Sequence, residues 1–329
     1  MIPLSVLDLV PIREGATIGQ ALDETAALAQ AAEAAGYKRF WTAEHHGADG
    51  LAGAAVSVVL AHIGHATSTI RIGSGGIMLP NHNPLVIAEQ FGTLDALFPG
   101  RIDLGLGRAP GADQRIAHAL RKDLMQAAEA FPQDVVELQA RFAGDAAVPI
   151  AATPGTGANV EMWILGSSLF GAQLAAYLGL PYAFASHFAP ALLDKALATY
   201  REHFRPSDTL DKPHAMVAIT VIAGESDEEA QTLATSQDRS FVNFRLGRSG
   251  RLAPPEAGYR DTLPPEILAG LDQMRAVSAI GSRDTVRAQI EAFVARTQAD
   301  ELIVSGSVYE PEMRQRSLAL TMDALSVAA

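Results

Sequence analysis

The chain repeats one pattern along most of its length: a short apolar run is followed by a longer stretch whose apolar residues recur at helical spacing. The apolar runs lack polar alternation, which is typical of strands buried on both faces of a parallel sheet. Eight such β-then-α units in single file predict an α/β fold, a (β/α)8 TIM barrel, with a doubly wound open sheet as the main rival. The predicted strands are residues 4–10, 39–45, 71–79, 101–107, 162–165, 182–186, 215–223 and 302–304.

Two stretches interrupt this alternation within what we predict to be a single domain, residues 1–329. Residues 109–131 form a polar helical insert after the fourth predicted strand, and residues 240–280, rich in Gly, Pro and Arg, follow the seventh. In a barrel both inserts lie on the C-terminal face, where active sites are found. Long loops in compact domains are usually functional lids or disordered. Aromatic residues in the second insert weigh against disorder, so we predict a lid over residues 240–280.

Composition excludes several classes of protein. The 329 residues include no cysteine, which excludes disulfides, iron–sulfur clusters and a cysteine nucleophile and suits a cytoplasmic protein. A net charge of −12 disfavours nucleic-acid binding, because an acidic surface repels phosphate backbones. The first residues lack the basic segment of a signal peptide, and no apolar run reaches the ~18 residues expected of a membrane span. We therefore expect a cytoplasmic protein with no nucleic-acid or membrane partner.

The sequence Glu44-His45-His46 ends the second predicted strand. Adjacent side chains on a strand point to opposite faces, so two neighbouring histidines cannot easily share a metal ion. The four-residue spacing of the common zinc helix is absent as well, and we expect no metal site. One histidine would face the barrel mouth, where imidazole suits proton transfer. Two hydrogen-bonded structural histidines explain these residues equally well.

Two further candidate positions lie within or just after predicted strands. Gly75-Gly76 lies inside the third strand, where glycines mark either a simple bulge or a place where a ligand lies against the backbone. His187 follows the sixth strand on the face where active sites lie, which makes it a candidate for the substrate pocket. A core histidine fits His187 about as well.

A candidate anion site follows the fourth and fifth strands. Arg108 ends the fourth strand, where a fixed cation suits a phosphate, unless it pairs with Asp113. Ser167 and Ser168 end the fifth strand and open a helix, and plain capping is their default explanation. Their combination with Arg108 indicates a phosphate site at a helix N-terminus.

Taken in order, these motifs resemble the bacterial luciferase-like flavin monooxygenase superfamily. The resemblance runs along most of the chain, is densest over residues 36–111 and 161–188, and looks closest to single-chain FMN-linked members often labelled alkanal-monooxygenase-like. The segments that carry it are GYKRFWTAEHH, IGSGGIMLPNHNPLVIAEQFGTLDALFPGRIDLGLGRAPG and WILGSSLFGAQLAAYLGLPYAFASHF.

The resemblance implies a TIM barrel that binds reduced FMN at its C-terminal mouth and assigns roles residue by residue. His45 matches the catalytic histidine and Glu44 its accompanying carboxylate, with His46 and His187 in the substrate pocket. Gly75-Gly76 matches a pair joined by a cis peptide behind the flavin ring. The residues expected to bind the cofactor are Ser74, Gly75, Gly76, Arg108, Ser167 and Ser168.

The activity implied is that of an FMN-dependent monooxygenase, which takes reduced FMN from a separate NAD(P)H:flavin reductase and uses O2. Through a flavin C4a-peroxide it would act on a small organic substrate such as a carbonyl compound. The alternatives are an F420-dependent hydride-transfer oxidoreductase and a non-catalytic flavin-binding protein. The resemblance also implies a homodimer formed through the helices after the second and third strands.

The chain departs from luciferase in two places. Gly107 replaces a reactive cysteine, and Ser186 replaces a large aromatic residue. Light emission is therefore not implied.

Overall fold

A computed structural model describes residues 2–108, 114–120, 123–248 and 250–326. The predicted insert at 109–131 therefore lies in part outside the described residues. The strands are β1 (Leu4–Asp8), β2 (Arg39–Thr42), β3 (Arg71–Met78), β4 (Ile102–Gly107), β5 (Glu161–Gly166), β6 (Tyr182–Phe184), β7 (Ala215–Ala223), β8 (Ser278–Gly281) and β9 (Glu301–Ser305). The α-helices are α1 (Ile18–Ala35), α2 (Val56–Ala66), α3 (Pro84–Leu97), α4 (Gln114–Ala119), α5 (Leu124–Ala143), α6 (Leu169–Leu178), α7 (Leu193–His203), α8 (Asp227–Arg245), α9 (Pro265–Arg275), α10 (Arg283–Thr297) and α11 (Pro311–Ser326).

The sheet closes on itself. Its parallel strands follow the order β1-β2-β3-β4-β5-β6-β7-β9, and β9 pairs back onto β1. Eight strands alternate with helices around this ring, so the predicted (β/α)8 TIM barrel is confirmed and the open-sheet alternative is wrong. Closure places the carboxyl ends of all eight strands on one rim, which is the only face where loops from every strand can meet.

The strand β8 was not among the strands predicted from the sequence. β8 has four residues and pairs only with the end of β7, from Thr220 opposite Ser278 to Ala223 opposite Gly281. It therefore extends the sheet outside the ring. Its short length and its position inside the Gly- and Pro-rich stretch left no strand-length apolar run to recognise.

Local sequence signals explain where several helices begin. Thr17 forms a capping box with Gln20 at the start of α1. Asn83 caps α3 and Ser226 caps α8, each through a side-chain oxygen that accepts a backbone N–H. These side chains satisfy N–H groups that a helix leaves without partners in its first turn. Among the helices that the structure describes, none has both the length and the apolar character needed to cross a bilayer.

The interior of the barrel is filled below its mouth. Trp41 and Trp163 meet edge to face with their ring centroids 5.4 Å apart, and Leu7, Met216 and Ile303 pack around them. Residues inside the ring alternate with residues that face the helices, as the two-residue period of a strand requires. This layer fills the barrel interior, so the C-terminal rim above it is the face to examine for a ligand site.

A cluster of charges lies at the opposite, N-terminal end of the barrel. The Arg39 guanidinium contacts Asp103 at 2.9 Å, Glu161 at 3.0 Å and Glu301 at 3.0 Å. It also lies 4.8 Å from the ring centroid of Trp163. Arg39 is 3% exposed, so one buried cation holds together carboxylates from three other strands.

The predicted lid is more regular than its composition indicated. α8 runs on to Arg245, and α9 and β8 occupy most of the second half. Between α8 and α9 lies a lid segment, residues 246–264, whose described part includes the short 3₁₀ helix Tyr259–Thr262. Leu252 pairs with the loop after β1, where its carbonyl accepts from the Glu14 N–H at 2.8 Å. A Cβ built on Gly50 would lie 2.0 Å from the Gly250 carbonyl oxygen. The lid segment thus rests on the loops that follow β1 and β2.

We expect Arg39→Met to lower the free energy of unfolding by about 3–5 kcal/mol, because it leaves buried carboxylates short of a cation. Urea denaturation measures the change. Arg287, a half-buried residue of α10 that pairs with the exposed Asp284, supplies the control, since Arg287→Met should cost less than about 1 kcal/mol. Equal shifts in the two variants would show that the cluster contributes nothing beyond a surface pair.

Candidate active site at the barrel mouth

His45 faces the barrel mouth. The pairing with β3 continues past the end of β2, because the Glu44 N–H donates to the Gly76 carbonyl at 3.2 Å. Trp41 and Ala43 point into the barrel, and the same alternation brings His45 to its rim. Its Nδ1 is buried and has no hydrogen-bond partner in the described part of the chain. Burial lowers the pKa of His45, so the imidazole is neutral at pH 7.

Glu44 points the other way, behind β2. Its buried carboxylate accepts hydrogen bonds from the Met78 N–H at 2.9 Å and from Asn81 Nδ2 at 3.1 Å. It also accepts from His46 Nε2 at 2.6 Å and from His82 Nε2 at 2.8 Å. The structure therefore separates Glu44 and His46 from His45, although the three residues are consecutive.

The charge state of this carboxylate follows from its partners. Burial by itself raises the pKa of Glu44, but the hydrogen bond and charge of His82 and the bonds from Met78 and Asn81 lower it below its ordinary value. Glu44 is therefore ionised. Sequence reasoning missed His82 and Asn81. The available signal was the polar run Asn81-His82-Asn83 directly after β3, since neighbouring parallel strands end at the same rim.

The glycine pair in β3 forms a bulge with a cis peptide bond, as the resemblance implies. The Gly75–Gly76 bond is cis, and the register between β3 and β4 shifts at Gly76. A Cβ on Gly76 would lie 2.2 Å from Leu165 Cδ1 and 2.6 Å from the Gly105 carbonyl oxygen, so a larger residue does not fit. The Ser74 hydroxyl donates to Gly105 O at 2.9 Å and thus ties β3 to β4 instead of facing the mouth.

Arg108 lies beside the N-terminus of α6. Its guanidinium stacks 4.0 Å from the ring centroid of Phe170, a residue in the first turn of that helix. Ser168 occupies the N-cap position in extended conformation, but its hydroxyl makes no capping hydrogen bond. The N–H groups of the first turn therefore remain available to an anion, unlike those of α1, α3 and α8. Arg108 thus lies beside the helix that Ser168 begins. Asp113, the other partner considered for Arg108, lies outside the described residues.

His187 reaches the mouth from the opposite side. It follows β6, which is four places from β2 in the eight-strand ring. Its Nδ1 is buried without a hydrogen-bond partner in the residues that the structure covers, and burial lowers its pKa to about 4. The neighbouring Ser186 is bonded to the Ala218 carbonyl and faces away. A ligand in the mouth would thus lie between two neutral imidazoles, those of His45 and His187.

Comparison with known proteins gives one consistent result. The family model described as luciferase-like monooxygenase matches residues 2–301. A luciferase-like monooxygenase of Escherichia coli (strain K12) is 47% identical over 323 residues, which cover 98% of this chain and 96% of the relative. The N-acetyl-S-alkylcysteine monooxygenase of Bacillus subtilis (strain 168) is 31% identical over 100% of this chain and 99% of its own.

Solved structures agree on the fold. The structure of apo-MsnO8 superimposes with a TM-score of 0.93 at 33% identity and covers 100% of this chain and 99% of its own. More distant structures share only the fold: the oxygenating constituent of a Pseudomonas putida 3,6-diketocamphane monooxygenase in complex with FMN, at 18% identity, and an F420-dependent secondary alcohol dehydrogenase, at 14%. Structures of this fold therefore include flavin-linked and F420-linked proteins.

The close packing around Gly76 can be tested by comparing the stabilities of two glycine variants. We expect Gly76→Ala to lower stability by about 1–3 kcal/mol, because its Cβ meets a backbone oxygen that β4 cannot move. Gly107→Ala should stay within about 0.5 kcal/mol, since its Cβ would lie 3.7 Å from the nearest atom, Ile77 O. Urea denaturation of both variants measures the difference, and similar stabilities would refute the packing argument.

Proposed function

Because the chain belongs to the luciferase-like monooxygenase family, we propose that it is an oxygenase that uses reduced FMN and O2 to oxygenate a small organic substrate. The observation that carries the proposal is the uncapped N-terminus of α6 beside Arg108. A helix start with free N–H groups and an adjacent guanidinium is a phosphate site, and FMN carries one terminal phosphate.

The residues at the mouth fit this cofactor. Arg108, Ser167, Ser168 and the first turn of α6 would hold the phosphate, and the backbone at Gly75-Gly76 would lie behind the flat ring. Packing keeps position 76 free of a side chain, because Leu165 and the Gly105 backbone already fill the space that a Cβ would take. When bound, reduced FMN supplies the electrons and the activation of O2.

The protein's own contribution is to hold protons and exclude water. The neutral His45 can accept or return one proton at the mouth, which is the role we assign to it. Glu44 is a positioning residue, because its N–H bonds Gly76 and its carboxylate bonds the Met78 N–H, which joins the end of β2 to β3 across the glycine pair. The lid segment would limit the access of water.

The substrate pocket would lie between His45 and His187. Because His187 is neutral, it suits a hydrogen bond to an uncharged polar group such as a carbonyl. A thioether substrate is the second candidate, since the relative that is 31% identical over the whole chain is named for an S-alkylcysteine.

FMN is favoured over F420 because the chain shares higher sequence identity with relatives named monooxygenases than with the F420-dependent dehydrogenase. Relatives at 31% and 47% identity are named monooxygenases, whereas the F420-dependent dehydrogenase shares 14%. A non-catalytic flavin-binding role is disfavoured because the chain keeps both the complete barrel and His45 at its mouth.

Two partners belong to this proposal. A separate NAD(P)H:flavin reductase would supply reduced FMN, and its reductant fits a cytoplasmic enzyme. The second partner is another copy of the chain. Val58 on α2 and Val86 and Leu97 on α3 are exposed apolar residues, and we assign these two helices to a homodimer interface.

The cofactor assignment is tested by anaerobic titration with reduced FMN. Arg108→Leu should weaken binding at least tenfold, which corresponds to about 1.4 kcal/mol. His45→Ala should bind reduced FMN nearly as tightly as the parent while its turnover falls by about 10²–10⁴. Turnover is followed by oxygen consumption and product formation with a panel of ketones and N-acetyl-S-alkylcysteines.

Arg287→Leu is the control for loss of a surface cation and should leave FMN affinity unchanged. The proposal fails if the parent protein binds reduced F420 but not reduced FMN. It also fails if bound reduced FMN reacts with O2 at the same rate as the free cofactor and no panel compound is oxygenated.

The contact between Gly50 and the lid segment provides a test of water exclusion. Gly50→Ala would drive its Cβ into the Gly250 carbonyl and displace the lid segment, whereas Gly250→Ala has its nearest neighbour at 3.9 Å. We expect only Gly50→Ala to raise the fraction of consumed O2 that appears as hydrogen peroxide, at least threefold, on the order of a 1 kcal/mol change. An equal peroxide yield in the two variants would contradict the proposal that the lid segment excludes water.

A further inference from the structure

Three metal-ligating side chains converge behind the end of β2. Glu44 and His46 come from the end of that strand, and His82 follows the short 3₁₀ helix Leu79–Asn81 after β3. One ligand atom from each residue lies within 4.8 Å of the other two. The adjacent histidines His45 and His46 do not share a ligand position, as their places on a strand predict. His82 instead approaches Glu44 and His46 from the neighbouring strand end.

We propose that Glu44, His46 and His82 form a binding site for one divalent transition-metal ion of the Zn²⁺ class. Two imidazoles and one carboxylate are a ligand set that zinc, iron(II), cobalt and nickel accept. Calcium and magnesium require more oxygen ligands than this cluster offers. The proposal does not depend on the flavin assignment, because none of the three side chains is needed to hold the phosphate.

The distances fit an ion with little rearrangement. His46 Nε2 lies 2.6 Å from one Glu44 oxygen and His82 Nε2 lies 2.8 Å from the other. Metal bonds of about 2.0–2.2 Å place neighbouring ligand atoms roughly 3–3.5 Å apart. The imidazoles would have to withdraw by about half an ångström and present nitrogen lone pairs in place of the N–H groups now directed at the carboxylate.

The two histidine side chains have room to move, whereas the Glu44 carboxylate is held in place. The Glu44 side chain is 0% exposed and is oriented by the Met78 N–H and the Asn81 amide. The His46 and His82 side chains are 23% and 28% exposed. An ion can therefore approach from solvent through the histidines and meet a fixed, ionised carboxylate. Hydrogen bonds to a ligating carboxylate are what a metal site needs in its outer layer.

Occupancy would have a structural consequence at the mouth. The ion would fasten the loop after β2 to the segment after β3, one residue from His45. Metal availability would then set how firmly the His45 loop is held.

The test is a titration of metal-free protein with Zn²⁺ by equilibrium dialysis and with Co²⁺ by visible absorption. We expect one ion per chain and Co²⁺ bands typical of nitrogen and oxygen ligands. His46→Gln and His82→Gln should each lower Zn²⁺ affinity at least tenfold. Glutamine keeps a donor for the Glu44 carboxylate while removing the imidazole, so these variants preserve the hydrogen-bonded cluster and separate it from metal binding.

His203→Ala is the matched control, because His203 is an exposed histidine at the end of α7 and should not affect the tight site. Zn²⁺ should raise the melting temperature of the parent and of His203→Ala but not of the glutamine variants. The proposal is overturned if the parent binds no stoichiometric Zn²⁺ or Co²⁺. It is equally overturned if both glutamine variants bind Zn²⁺ as tightly as the parent.

Discussion

The closure of one parallel sheet into a ring is the constraint from which the other features follow. Pairing of β6 with β7 and of β9 with β1 leaves the ring no free edge and points every strand in the same direction. The lower interior is filled by the tryptophan layer and by the charges around Arg39. The side chains that follow the eight strands therefore surround one opening instead of lying along a straight sheet edge. The candidate site is the rim of this opening.

Glu44 fixes the ends of β2 and β3 relative to each other at this rim. A buried carboxylate is costly unless it is hydrogen-bonded, and Glu44 accepts four hydrogen bonds from partners on two neighbouring strand ends. Its backbone N–H also bonds the glycine pair. The same contacts serve two of our proposals: they join the strand end that carries His45 to the glycine pair, and they orient a carboxylate between two imidazoles. Both depend on the carboxylate remaining buried and ionised.

The electrostatic character of the mouth is uneven in a way that suits a phosphate-tailed cofactor. Arg108 and the free N–H groups of α6 supply positive charge on the side of β4 and β5. On either side of this region, after β2 and β6, burial lowers the pKa values of His45 and His187, so both imidazoles are neutral. Charge is thus concentrated where a phosphate would bind. An uncharged region is left where oxygen chemistry on an organic substrate would take place.

The amino-acid sequence by itself predicted eight β-then-α units and left a doubly wound open sheet as the rival to a barrel. Because the helical and strand periods differ, the order of these units also placed His45, Arg108 and His187 at strand ends and Gly75-Gly76 inside a strand. The two-residue period of a strand also places Glu44 and His45 on opposite faces. Only the tertiary structure decided that His82 joins Glu44 and that the Ser168 hydroxyl leaves α6 uncapped. It also decided that β8 pairs outside the ring. These features depend on hydrogen bonds between residues far apart in the chain or on rotamers at strand ends, and no local period encodes either.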